Sequence, residues 1–318
     1  HAALSLQDRS ATMAVMERTE AELVRRIRWE PTDEGRQALA SREWLVTNGL
    51  GGYASGTIGG VSTRRFHGKL IAALPSPRGR YMMLNHLEES LTTADGRSYE
   101  FNSDPDLLEE FFLENGLPVW RFSKDGLRIE KRVVMPYLQN TTYVIYRMFE
   151  GPSGATLQLR PSVRFRHHEG LLGGELPDNW RVRDMGREVE IGTGEELPPL
   201  RFLVCGEGRM NQDQRQERHH IYNIEKARGY DSEGPLWSPG VISIELEAGR
   251  NGGIVVSVEP WDVIRALGID DCCKAEAQRR SKLLAIAGGV GQDNFPAQLV
   301  LAADQFLIRP GTRVGDDA

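Results

Sequence analysis

The side chains best suited to chemistry crowd into one stretch, residues 43–68, EWLVTNGLGGYASGTIGGVSTRRFHG. Asn48, Tyr53, Arg64, Arg65 and His67 offer planar or hydroxylated hydrogen-bonding groups there, and Trp44 offers an aromatic face. Sugars are held by such groups, with polar side chains on the hydroxyls, aromatic faces on the ring C–H groups and glycine backbone allowing close approach. Gly49, Gly51, Gly52, Gly56, Gly59 and Gly60 lie in the same stretch. No acidic residue occurs from Trp44 to Leu87, while Arg64, Arg65, Lys69, Arg78 and Arg80 all do. A polar, hydroxyl-rich or anionic ligand suits this composition. The structural alternative is a glycine-rich turn between strands, with Trp44 and Phe66 in the core and Arg64 paired with an internal carboxylate.

Other chemistries find less support. Gly49-Leu50-Gly51-Gly52-Tyr53-Ala54 matches G-x-G-x-x-A, but a dinucleotide site needs a helix directly after it and an acidic residue about 20 positions on. SGTIGGVST follows instead, and the first carboxylate is Glu88. Gly68-Lys69 is followed by Leu70, so there is no P-loop. Glycoside hydrolysis needs two carboxyl groups flanking the scissile bond. Of Glu88, Glu89, Asp104, Asp106, Glu109, Glu110 and Asp231, the stretch from Asp104 to Glu110 reads as a solvated loop. Glu88 and Glu89 point to opposite faces of any strand that holds them. No catalytic residue is assigned. His167-His168 and His219-His220 are adjacent pairs whose side chains diverge on a strand. Neither a metal nor a cofactor is expected, and the Gly-x-Ser-x-Gly of a serine hydrolase is missing.

Strands must position these groups. Leu127, Ile129, Val133 and Met135 alternate with polar residues, as do Leu157, Leu159 and Val163, the period of half-buried strands. Lys131 interrupts the first pattern and predicts a solvent-near end of that face. Residues 140–149 are β-branched and aromatic on both faces, as in a central strand. Further strands are predicted at 69–74, 81–85, 188–191, 200–205, 241–246 and 253–258. Many short strands punctuated by Gly and Pro argue for a mainly β, two-sheet sandwich. Leu23, Val24 and Ile27 predict a short amphipathic helix over 18–29, and 30–41 reads as linker. Helix formers return after Pro260, over 262–267, 271–287 and 296–307, with Gly288-Gly289 at a C-cap position and 310–318 as a loose tail. The implied division is 1–40, a β domain at 41–260, a helical linker at 261–292 and a further helix at 293–318.

The net charge of −6 over 318 residues speaks against a general nucleic-acid binder. No apolar run reaches the length of a membrane span. Cys205, Cys272 and Cys273 suit neither a disulfide framework nor a paired zinc pattern, and reduced thiols in a cytoplasmic protein are expected. Charged residues between Glu17 and Arg26 interrupt any signal-peptide core.

Trp44-Leu45-Val46-Thr47-Asn48-Gly49-Leu50-Gly51-Gly52-Tyr53-Ala54-Ser55-Gly56-Thr57, followed by Thr63-Arg64-Arg65-Phe66-His67-Gly68, resembles the opening signature of the N-terminal domain of bacterial and archaeal glycogen debranching enzymes, the amylo-α-1,6-glucosidases. Pro118-Val119-Trp120, Asn140-Thr141-Thr142, Arg228-Gly229-Tyr230-Asp231 and LVLAADQF at 299–306 are similar to later segments of that family. One departure is Arg164-Phe165-Arg166-His167-His168-Glu169, where the family tends to carry Arg-Asp-aromatic-His. The resemblance implies a β-supersandwich of the galactose-mutarotase type, followed by an (α/α)6 barrel holding the catalytic acids, of which this chain reaches only the first helix. It implies a non-catalytic part of an α-1,6-glucosidase acting on branched α-glucans. That part would pack on the barrel and assist glucan binding through Trp44, Asn48, Tyr53, Arg64, Arg65 and His67. The alternatives are a stand-alone carbohydrate-binding or structural sandwich, and a mutarotase-like enzyme with an acid and a base facing one cleft.

Overall fold

The computed structural model describes residues 23–309 apart from 31, 105, 195 and 289–293. The first strands are β1 (Val24–Ile27), β2 (Glu43–Thr47), β3 (Tyr53–Thr57), β4 (Gly68–Leu74), β5 (Gly79–Leu84), β6 (His86–Thr92) and β7 (Ser98–Glu100). Next come β8 (Leu108–Glu114), β9 (Leu117–Lys124), β10 (Leu127–Val134), β11 (Thr141–Glu150), β12 (Ala155–Ser162) and β13 (Arg166–His167). The last are β14 (Arg181–Asp184), β15 (Glu188–Gly192), β16 (Leu200–Cys205), β17 (Glu207–Ile221), β18 (Glu233–Leu246) and β19 (Asn251–Ser257). Helices α1 (Asp33–Ser41), α2 (Asn223–Ala227), α3 (Trp261–Arg265), α4 (Ile269–Ile286) and α5 (Asn294–Asp304) complete the order.

One layer is a nine-stranded sheet, β1-β8-β9-β10-β11-β19-β16-β15-β14. The other joins two five-stranded sheets, β17-β18-β12-β6-β7 and β13-β5-β4-β3-β2. They meet where β5 runs into β6 at Asn85 and β12 runs toward β13. There the Asn85 N–H donates to the Ser162 carbonyl at 3.1 Å, and Asn85 Oδ1 accepts from the Arg164 N–H at 2.7 Å. The result is the expected large β-sandwich. Strands β6 and β12 alternate buried and part-exposed residues, while β11 is buried on both faces from Thr141 to Tyr146, as its central place requires.

Several sequence readings are corrected. Val24–Ile27 is not helical; it pairs antiparallel with β8 as an edge strand, Val24 opposite Glu114. Ladder hydrogen bonds and an Arg26–Glu110 ion pair at 2.5 Å outweigh the helical spacing of three apolar residues. Residues 18–22 of that expected helix lie outside the described residues, as do Gly289 and the tail 310–318. The expected linker contains α1, whose N-cap Thr32 accepts from the Gly35 N–H at 3.1 Å and whose Leu39 is buried. Part of the expected loop at 104–110 belongs to β8. Lys131 is not near solvent: its Nζ donates to Glu89 Oε1 at 2.7 Å across the two layers, with both side chains buried. The helices after Pro260 form close to the expected bounds and pack on the nine-stranded sheet. Glu276 Oε1 accepts from the Tyr137 N–H at 2.8 Å, and Arg280 donates to the Asn115 carbonyl at 3.2 Å. Among the described residues, no helix is long and apolar enough to cross a membrane.

Candidate functional site

The glycine-rich stretch folds as the antiparallel hairpin β2–β3, with Trp44 opposite Gly56 and Thr47 opposite Tyr53. A strand leaves the turn, so no helix N-terminus is available to cradle a phosphate. Asn48 organises the turn. Its Oδ1 accepts from the Leu50 and Gly52 N–H groups at 3.0 and 2.9 Å. Its Nδ2 donates to the Gln139 carbonyl at 2.9 Å and to Asn140 Oδ1 at 3.1 Å. With 0% exposure and all four amide positions filled by protein, Asn48 has nothing left for a ligand. The glycines answer to neighbours in the same way. Gly49 has φ 73°, and a Cβ there would lie 2.2 Å from the Tyr137 ring; one on Gly52 would lie 2.7 Å from Asn48 Nδ2.

Trp44 is core, 4% exposed. It meets Trp120 edge-on at 5.3 Å and donates its indole N–H to the Thr57 carbonyl at 3.2 Å, with Lys69 Nζ 5.0 Å from its ring. His67 is buried as well. Its Nδ1 accepts from the Thr63 and Arg64 N–H groups at 3.1 and 3.3 Å, which puts the proton on Nε2, 3.4 Å from Glu43 Oε1. Burial, reinforced by Lys69 and Arg64 and opposed by Glu43, lowers its pKa to about 4, so the ring is neutral at pH 7. Arg64 also pairs with Glu43.

Tyr53 and Arg65 form a second group with the segment after β12. The Tyr53 hydroxyl lies 2.7 Å from His168 Nε2 and donates to the Phe66 carbonyl at 3.1 Å; burial pushes its pKa up to about 12. Burial, with Arg80 and Arg166 nearby, lowers His168 to about 4. Arg65 donates to the Glu169 and Gly170 carbonyls at 2.7 and 2.9 Å, and Arg166 donates back to the Arg65 carbonyl. The loop holding Arg64 and Arg65 is thus clasped against 166–170. Trp44, Asn48 and His67 face inward, whereas Tyr53, Arg64 and Arg65 remain part-exposed.

The candidate carboxylates are mostly paired. Glu88 and Glu89 do point to opposite faces, toward Arg215 and Lys131. Asp104 pairs with Lys124 at 2.6 Å, Asp106 with Arg36, and Glu110 with Arg26 and Arg121. Asp231 accepts from the Leu172 N–H at 2.6 Å, and Glu109 is exposed. Of the histidines, His168 packs on Tyr53 and Phe66, and His220 lies on His86 at 5.6 Å.

A cleft of about 800 Å3 that sequence reasoning missed lies between the loop 173–180, β17 and the start of β18. Trp180 and Trp237 stack in it at 4.4 Å with an 8° interplanar angle. Its lining comes from three separated segments, so no local motif announces it; the Gln-rich run at 212–216 and the two tryptophans are the nearest signals.

A family model, glycogen debranching enzyme N terminal, matches residues 42–252. The chain belongs to this family. The match takes in the β2–β3 hairpin, the clasp at 166–170 and the whole Trp180 cleft of this debranching-enzyme N-terminal region. Among solved structures the chain is similar to a human-microbiome protein named as a kojibiose phosphorylase, with 11% identity, TM-score 0.40 and coverage of 84% of this chain and 38% of that one. It is also similar to a bacterial glucoamylase complexed with acarbose, with 8% identity, TM-score 0.42 and coverage of 80% and 39%. The chain spans less than half the length of either. No curated protein matches it.

Proposed function

We propose that this chain is the N-terminal, non-catalytic scaffold of an α-1,6-glucosidase acting on branched α-glucans, seating a helical catalytic domain and helping to shape the rim of its substrate site. In this reading residues 41–260 form the sandwich, 261–292 a helical connection and 293–318 the entry to the catalytic barrel, with 1–40 leading in. One observation carries it. The residues after α5 return across the signature turn: the Arg309 N–H donates to the Gly49 carbonyl at 2.8 Å, and the Gln305 amide reaches the Leu45 carbonyl at 3.5 Å. Leu45, Phe306, Leu307 and Ile308 are exposed there and line a cavity of about 280 Å3 with Gly51 and Arg80. Phe295 and Leu299 of α5 are exposed too. Apolar surface grouped in this way marks an interface.

The signature stretch supports that interface from behind. Asn48, Trp44 and His67 fix the hairpin, and Tyr53, Arg64 and Arg65 are the members left to border a glucan once the helical domain is seated. Cytoplasmic placement is supported by Cys205, Cys272 and Cys273, all unbonded, with burial pushing Cys205 and Cys273 up to about 11.

The test supplies the family's helical domain as a separate polypeptide. The chain alone should release no glucose from limit dextrin, and the Phe306→Asp, Leu307→Asp double variant should lose association with the helical domain at an unchanged melting midpoint. Turnover by the chain alone would end the non-catalytic reading. Wild-type association by the double variant would move the docking face elsewhere.

A further inference from the structure

We infer that the Trp180 cleft is a binding site for a neutral glucan chain, separate from the signature hairpin and usable by this chain alone. The inference rests on the α-glucan reading above for the identity of the sugar, but its geometry stands apart from the docking face.

The floor is aromatic. Trp180 and Trp237 stack face to face, and Phe165 meets Trp180 at 5.2 Å, so the indoles are held in place before any ligand arrives. The Trp180 indole N–H is buried and has no hydrogen-bond partner among the described residues, a donor that native interiors rarely leave idle. The rim is polar and of the types that grip hydroxyls: the amides of Gln214 and Gln216, the His219 imidazole, and the carboxylates of Glu175, Asp178 and Glu233. Gln214 and His219 fall at the two places where the β17–β18 register slips, between Gln212 and Arg215 and between Glu217 and His220. Such bulges re-aim side chains beside functional sites.

Charge and framework narrow the ligand. The carboxylates of Glu175, Asp178 and Glu233 lie along the cleft, which disfavours phosphates, nucleotides and acidic polysaccharides. A neutral polyhydroxylated chain has no such penalty, and the volume falls within the usual range for small-molecule sites, roughly 300–1,000 Å3. The loop wall is tied down, with Arg164 donating to the Gly173 carbonyl at 2.6 Å and to the Pro235 carbonyl at 3.4 Å. The Leu172 N–H is fixed on Asp231. A cleft with two fixed walls and an indole floor needs little rearrangement to bind.

The experiment titrates maltoheptaose, and separately cellohexaose, into the whole chain by calorimetry. Trp180→Ala should weaken maltoheptaose binding by roughly tenfold or more, the cost of losing one stacking face and one donor. Trp180 also packs against Trp237, so the exposed pair Gln214→Ala, Gln216→Ala is run beside it, with melting curves for both, and should weaken binding several-fold. Phe149→Ala, an exposed aromatic on β11, should change nothing. Equal maltoheptaose binding by wild type and both cleft variants overturns the site, and loss on Arg65→Ala alone would move binding to the hairpin rim. No binding of either sugar overturns the site and leaves the docking test above intact. Tight cellohexaose with no maltoheptaose overturns the α-glucan assignment itself.

Discussion

Replacing Asn48 with alanine separates a ligand contact from a structural one. The substitution removes two bonds to the Leu50 and Gly52 N–H groups, one to the Gln139 carbonyl and one to Asn140 Oδ1. Each is worth about 1 kcal/mol net, and a buried group left unpaired, such as the Gly52 N–H, costs about 1–3 kcal/mol in its own right. The expected loss is therefore about 3–5 kcal/mol of folding stability, read as a drop in the urea midpoint by tryptophan fluorescence. The turn also anchors the C-terminal segment through the Gly49 carbonyl, so the loss should be accompanied by faster amide exchange at Arg309. A stability change under about 1 kcal/mol together with lost maltoheptaose affinity would refute the reasoning. It would show that the amide serves a sugar rather than its own hairpin.

Three further outcomes follow from the same structure. Glu89→Ala should destabilise by about 3–5 kcal/mol because it leaves Lys131 charged and buried, while Glu89→Leu combined with Lys131→Met should cost less than either single change; additive losses in that cycle would count against the pair. His67 has a folded pKa of about 4 against 6.5 unfolded, so its contribution is fully present above pH 6.5 and is lost as pH falls toward 4. That is worth roughly 3 kcal/mol at most, and His67→Gln should flatten the acid limb of a pH–stability profile. His168 and His86, both lowered chiefly by burial, act in the same direction. Thr32→Ala should cost about 1 kcal/mol by uncapping α1, with exchange rising over Asp33–Ser41 and recovery in Thr32→Ser.

The sandwich was legible wherever one face of a strand is wet, because the period of two is then written in side-chain polarity. Strand β12, with Leu157 and Leu159 buried between Thr156, Gln158 and Arg160, is the clearest case. Strand β17 was not legible: EGRMNQDQRQERHHI carries no apolar alternation, and it is a strand because β18 lies beside it. Strand β1 and Lys131 misled for a related reason. Val24 and Ile27 have helical spacing but pair along the edge of β8, and a lysine reads as solvent-facing until Glu89, 42 residues earlier, is known to stand opposite it.

The signature stretch poses a different problem, since the residue types that bind a sugar are also those that lock a tight hairpin. Asn48 looks like a ligand group by type, and only its distance from Gln139 and Asn140, 91 and 92 residues along the chain, decides otherwise. Short-range pattern is therefore enough to place this chain in its family and insufficient to say which of its polar residues turn inward. The inward turn of Trp44, Asn48 and His67 makes the recognisable motif a rigid hairpin, against whose Gly49 carbonyl the Arg309 N–H lies. Open indole and amide surface lies instead at Trp180 and Gln216, on segments that only the fold brings together.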